Sequence, residues 1–242
     1  MTVRSEVPAR KARDAYHHGN LRQALVETAV QTIRERGVDA LTLRDVGAAL
    51  RVSRTALYRH FADKDALLAA VATEGFRAFR LALSAAWEDA GRGRAGFIAQ
   101  GQAYLRFAID NPSHYRVMFG GFVDKKAVGP ELATESEAAF GVLVNALVEL
   151  QQTGVVRDGD PLDQALFVWS SVHGAAMLAM SNLLSHDGGE SSVAAMAVVP
   201  HILEALTVAP AGRVTSSRSP SSRARRAPSS TPPPAPGTRR AR

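Results

Sequence analysis

Four residues near position 55 carry the plainest chemistry in this 242-residue chain: Arg54, Thr55, Tyr58 and Arg59. Their i, i+1, i+4, i+5 spacing sets them on one side of a helix. Around them, Val46, Leu50, Val52, Leu57 and Phe61 fall where two crossing helices share a small core, and Gly47 permits a close approach. An arginine can pair with both acceptors of a guanine edge, and a threonine methyl can touch thymine. A tyrosine hydroxyl, a hydroxyl at a helix start and Lys64 can hold phosphates and fix register. A helix of about eight residues, about 12 Å long, fits a DNA major groove. An ordinary solvated face would look similar, so the charge around it has to separate the two readings.

Charge is unevenly spread. Residues 1–65 hold 12 Lys+Arg against 8 Asp+Glu, whereas residues 66–207 hold 9 against 15. From Val208 onward there are eight Arg and no acidic residue. A basic first unit on an acidic body suggests that the first meets a polyanion and the second does not. The absence of cysteine excludes disulfides, thiolate metal sites and cysteine nucleophiles. No apolar run reaches about 18 residues, and no apolar segment follows the charged N-terminus. A cytoplasmic, nucleoid-associated protein without a membrane partner is expected.

These residues need helices to position them, and the chain reads as all-α from Asn20 to Thr207. Asn20, Thr42, Ser53 and Asp63 can each cap a helix, and Thr42 with Asp45 has capping-box spacing. Helices are expected from about Asn20 to Arg36, Thr42 to Leu50, Arg54 to Phe61 and Asp63 towards Ala90. Further ones are expected at 95–110, 112–119, 130–153, 161–185 and 192–207, with Pro200 kinking or splitting the last. The domain reading is a flexible arm (1–15), a helix-turn-helix domain (16–65), a helical body for ligand binding and dimerisation (66–208) and a disordered basic tail (209–242). The tail is either a solvated extension or a source of nonspecific phosphate affinity.

The run Thr42-Leu43-Arg44, followed by Val52-Ser53-Arg54-Thr55-Ala56-Leu57-Tyr58-Arg59-His60-Phe61-Ala62-Asp63-Lys64-Asp65, resembles the signature of TetR-type transcriptional repressors. The resemblance covers about residues 16–207. It implies that Arg54 and Thr55 read bases, with Thr42, Arg44, Ser53, Tyr58, His60 and Lys64 on phosphates and Arg59 beside them. It also places the leader Tyr16-His17-His18-Gly19-Asn20-Leu21-Arg22 near the DNA backbone. Metal binding by the paired histidines is not expected, since no Cys or acidic partner stands at ligand spacing. One residue departs from the pattern: the turn before Val52-Ser53 usually has Gly but here has Arg51. A positive φ there would cost on the order of 1 kcal/mol.

In the body, Trp169-Ser170-Ser171-Val172-His173-Gly174 resembles the Trp-x-x-x-His-Gly hallmark of one TetR-type C-terminal class. Trp169, His173 and Met177 stand at i, i+4, i+8, and a second cluster gathers Tyr104, Phe107, Tyr115 and Met118. Such residues at helical spacing also build ordinary cores. With the resemblance, these seven form the expected lining of a small-molecule effector pocket, and 161–185 with 192–207 form the expected homodimer seam. The implied function is a ligand-released repressor on a palindromic double-stranded DNA operator. "DNA reader" rests on the residues, "repressor" on the resemblance. Two rivals stand beside it: an architectural DNA-binding protein without a ligand, and an enzyme sharing the helical body. No cofactor, metal or catalytic set is expected, because Ser170 and His173 have neither a nucleophile elbow nor an acidic orienter.

Overall fold

The computed structural model describes residues 21–123, 128–185 and 190–207. Expectations for the arm (1–15), leader residues 16–20 and the basic tail (209–242) lie outside the described residues. Among the described residues there are nine helices and no strand: α1 (Leu21–Arg36), α2 (Leu43–Ala49), α3 (Arg54–Tyr58), α4 (Lys64–Asp89), α5 (Gly93–Asp110), α6 (Pro112–Phe119), α7 (Pro130–Gln152), α8 (Pro161–Met180) and α9 (Ser191–Leu206). No described helix is long and apolar enough to cross a membrane.

Helix starts follow the side-chain caps. Thr42 Oγ1 accepts from the Asp45 N–H at 3.1 Å, Ser53 Oγ from Ala56 N–H at 3.2 Å, and Asp63 Oδ1 from Ala66 N–H at 2.8 Å. Each such cap is worth about 1 kcal/mol. Some ends differ from the pattern-based expectation. Helix α3 stops at Tyr58, three residues early, because Phe61 turns back into the core beneath it. Helix α8 stops at Met180, where Asn182 takes a φ of 54°. Pro200 does not split α9, which runs through it from Ser191 to Leu206. Packing of Val199, Ile202 and Leu203 on either side outweighs the one lost backbone bond.

Two hydrophobic cores result. The first gathers Leu25, Ile33, Val46, Leu57, Phe61 and Leu67 under the helix-turn-helix. The second gathers Trp87, Phe97, Tyr104, Leu147, Val172 and Leu203 in the body. Phe76 of α4 packs against both. So does α6 through adjacent positions: Val117 is buried in the first core, and Met118 packs on the second.

At the turn of the helix-turn-helix, Arg51 has a φ of 53°. Its N–H reaches the Ala48 carbonyl (3.1 Å) and the Val52 N–H the Gly47 carbonyl (3.0 Å). That is a Schellman end, in which the left-handed position normally falls to Gly. A chain with Arg51→Gly should therefore unfold at higher denaturant, a gain of roughly 0.5–1 kcal/mol, whereas Arg51→Ala keeps the strain and gains nothing. Equal midpoints for the two variants in urea titrations would count against strain at this turn.

Candidate nucleic-acid interface and body cavity

The outer side of α3 is built from its buried side. Leu57 is 3% exposed and holds the helix onto α2, where a Cβ on Gly47 would stand 3.1 Å from Leu57 Cδ2. With Leu57 inward, Arg54, Thr55, Tyr58 and Arg59 all face out, as do Ser53 and His60. Thr42 and Arg44 of α2 are exposed beside them. The Arg54 guanidinium lies 5.4 Å from the centre of the Tyr58 ring, so the two long side chains brace each other one turn apart. The caps leave the Thr42 and Ser53 hydroxyl protons free to donate outward while their oxygens accept.

Lys64 has partners within the chain. Its ammonium donates to the Val38 carbonyl at 2.9 Å and faces that of Asp39 at 3.4 Å. It ties the loop after α1 to the start of α4, fixing the angle at which the reading helices meet the long helix. Arg22 of the leader stacks over Phe61, 5.3 Å from its ring centre.

The body holds a cavity of about 410 Å³, partly open to solvent, between α4, α5, α6, α7, α8 and α9. Of the seven residues expected to line it, Tyr104, Met118 and Trp169 do so. Tyr115 and His173 stand directly behind Tyr104, hydrogen-bonded to it. Phe107 is buried against Phe79, ring centres 5.0 Å apart, outside the lining. Met177 is 47% exposed on the outer face of α8. The i, i+4, i+8 spacing drifts by about 80° on a 3.6-residue helix, enough to carry Met177 off the face shared by Trp169 and His173. Residue types alone did not mark Phe76, Phe79, Phe97, Gln100 and Phe140, which also line the cavity. Phe97, Gln100 and Tyr104 stand at i, i+3, i+7 on α5, a pattern that could have revealed them.

Behind the cavity sits a compact polar cluster. The Tyr115 hydroxyl is 2.7 Å from His173 Nδ1, and the Tyr104 hydroxyl is 3.0 Å from both. The Trp169 indole N–H donates to the Tyr104 oxygen at 3.3 Å. Burial pushes the Tyr104 phenol up to about 12 and the Tyr115 phenol higher still, and it pushes the His173 imidazole down. All three groups are neutral near pH 7. With the His173 proton on Nε2, the order Trp169 to Tyr104 to Tyr115 to His173 gives the Trp169, Tyr104 and Tyr115 protons one acceptor each. Ser170 is exposed on the opposite side of α8 and takes no part.

The junction between the two cores is also specific. Gly75 of α4 carries no side chain where Met118 passes; a Cβ there would stand 2.6 Å from Met118 Sδ. Beside it, Glu74 accepts from Gln23 of α1 at 3.1 Å and faces His114 of α6 at 3.6 Å. The His114 contact holds the Glu74 carboxyl below its ordinary range.

His173 gives this cluster a pH signature. Its folded imidazole titrates below the ordinary 6.5, so the unfolded chain takes the proton first as pH falls. Stability from this group is whole above about pH 6.5 and declines below it, until the folded imidazole is protonated too. Thermal midpoints between about pH 7.5 and about pH 5.5 should fall more steeply in the wild-type chain than in His173→Gln. Parallel slopes would remove His173 from this role.

Known proteins resemble the chain in both halves. The family model for bacterial regulatory proteins of the tetR family matches residues 25–71, and that for a tetracyclin repressor-like C-terminal domain matches residues 97–202. The HTH-type transcriptional repressor DhaR of Mycobacterium sp. (strain GP1) is 29% identical over 163 residues, covering 65% of this chain and 81% of that protein. A solved structure of a protein of unknown function from Rhodococcus sp. RHA1 is 32% identical, covers 80% of this chain and 98% of its own, and superposes with a TM-score of 0.71. A TetR-family transcriptional regulator from Pectobacterium atrosepticum, 25% identical, covers 84% of this chain and all of its own at a TM-score of 0.61. The helix-turn-helix falls within the first matched span and the cavity lining from Phe97 to Ile202 within the second, and the chain belongs to the TetR family of bacterial transcriptional regulators.

Proposed function

We propose that the chain is a dimeric repressor that binds a palindromic operator through α3 and leaves it when a small molecule fills the body cavity. The observation that carries the reading is the placement of α6. Its Val117 is buried in the core under the reading helices, and its next residue, Met118, lines the cavity. A ligand that displaces Met118 therefore presses on α4 at Gly75, the helix that carries the helix-turn-helix. Ligand and operator then favour different arrangements, and each weakens the other.

Dimerisation follows from the reading helix and from α8. A five-residue helix touches too few bases alone, and two copies about 34 Å apart, or a multiple of that, supply a symmetric reader. Helix α8 turns Leu162, Leu166, Phe167, Met177 and Leu178 outward, and α9 adds Val193 at 65% exposed. An apolar face of this extent on a protein without a membrane-spanning helix among its described residues suits a second copy. In the reader itself, Arg54 and Thr55 take the base edges, and Thr42, Arg44, Ser53, Tyr58, Arg59 and His60 the phosphates.

Footprinting on the DNA flanking the chain's own gene should protect two half-sites related by a dyad. Arg54→Ala and Thr55→Ala should each weaken binding there by about 1–3 kcal/mol, with little change on unrelated DNA. Phe167→Asp should give a monomer by sedimentation and abolish the footprint. Protection that ignores sequence, or a Phe167→Asp monomer that still binds, would replace this reading with an architectural one.

A further inference from the structure

We infer that the body cavity is built for a neutral, largely aromatic ligand carrying one hydrogen-bond-accepting oxygen, which the side-chain amide of Gln100 receives. The inference rests on the proposal that this cavity is the effector site, and it names the chemistry of what fills it. Phe76, Phe79, Phe97, Phe119, Phe140 and Trp169 stand in the wall among aliphatic side chains such as Leu83, Leu143, Val199 and Ile202. Their rings meet edge-on: Phe76 and Phe119 are 5.3 Å apart at 76°, and Phe140 and Trp169 are 5.8 Å apart at 64°. Such walls present both ring faces and ring edges, which suits another aromatic ring. No Arg, Lys, His, Asp or Glu is among the lining residues. An ionised ligand would leave water without a counter-charge, at a cost that the apolar walls do not offset.

Three polar side chains do line the cavity: Tyr104, Ser136 and Gln100. The Tyr104 hydroxyl is shared with Tyr115, His173 and Trp169. The Ser136 hydroxyl donates to the Ala133 carbonyl at 2.9 Å within its own helix. Gln100 is different: it is 4% exposed, and its Nε2 is buried with no hydrogen-bond partner. A buried donor without an acceptor destabilises the empty protein. A carbonyl oxygen of a bound molecule would satisfy it. At about 410 Å³ the cavity falls at the small end of the range for drug-sized ligands.

Three probes separate these features: benzophenone, diphenylmethane, which has a methylene in place of the carbonyl, and 4-benzoylbenzoate, which adds a carboxylate. Calorimetric titration of the full chain should show benzophenone binding roughly tenfold or more tightly than diphenylmethane, with 4-benzoylbenzoate weakest. Gln100→Leu should erase the preference for benzophenone while keeping the affinity for diphenylmethane. The same substitution should leave the empty protein's Tm unchanged or raise it by roughly 2–4 °C, because it removes an unsatisfied donor. Equal affinities for the two neutral probes, a preference that survives Gln100→Leu, or a marked loss of Tm in that variant would each overturn the Gln100 assignment. Tightest binding of the carboxylate, or no binding of either neutral probe, would overturn the ligand class. The parent reading fails separately. Ala139→Trp, or Leu143→Trp should the first not fold, fills the cavity, and neutral-probe binding unaffected by it would place the ligand elsewhere. That last result also overturns the inference.

Discussion

Helix α4 has no side chain at position 75, and Met118 of α6 lies where one would stand, 2.6 Å from a Cβ built there. Glycine inside a 26-residue helix costs about 1 kcal/mol against alanine, so the close approach must return at least that. What it secures is the seating of α6. With its axis drawn against α4, α6 sends Val117 into the core below and offers Tyr115, Met118 and Phe119 to the body. A bulkier residue at position 75 would separate the two cores at the point where Phe76 joins them. The reading helices and the cavity would then be neighbours without a common wall.

Much of this arrangement could be read in the sequence, because it rests on local rules. Thr42, Ser53 and Asp63 cap the helices they were expected to cap, since a short side-chain oxygen next to a helix start has few better uses. Arg51 was marked by its departure from glycine, and its φ of 53° explains why that residue type is usual there. The outward set on α3 followed from knowing that Leu57 must be buried. These inferences span only a few residues, within which backbone geometry leaves little choice.

The cavity was less legible, and the reason is also geometric. Spacing identifies one helix face but does not say what that face meets. Trp169 and His173 share a face, yet one borders the cavity and the other the tyrosine pair behind it. Met177 shows how quickly the rule fails, since two turns of drift move a residue from the inner face to the outer. Lys64 illustrates a second limit. Its charge suggested a phosphate and said nothing of the Val38 and Asp39 carbonyls, the acceptors its long side chain reaches within the fold. Gln100 resembled any other polar residue in a helix until its burial and its missing partner were known.

In the proposed switch the polar cluster behind the cavity has a definite task. Tyr104 and Trp169 both line the cavity and belong to that cluster, and a ligand touching the Tyr104 ring would meet a hydroxyl already held by three partners. Held this way, Tyr104 cannot swing to follow a ligand, and the strain of a poor fit must go elsewhere. Met118, also in the lining, is unbranched and stands against Gly75. A held side chain and a yielding one in the same lining would, in the proposed switch, direct displacement towards α4. In the proposed dimer Leu166 adds a second consequence, because it lines the cavity and is also half-exposed on the outer face of α8. The ligand would then touch the side chain that a partner covers, and filling the cavity would be felt at the seam as well as at the reading head. Repacking of these two side chains would, in the proposed switch, start a larger rearrangement, with a coupling of about 1–3 kcal/mol usual for such systems.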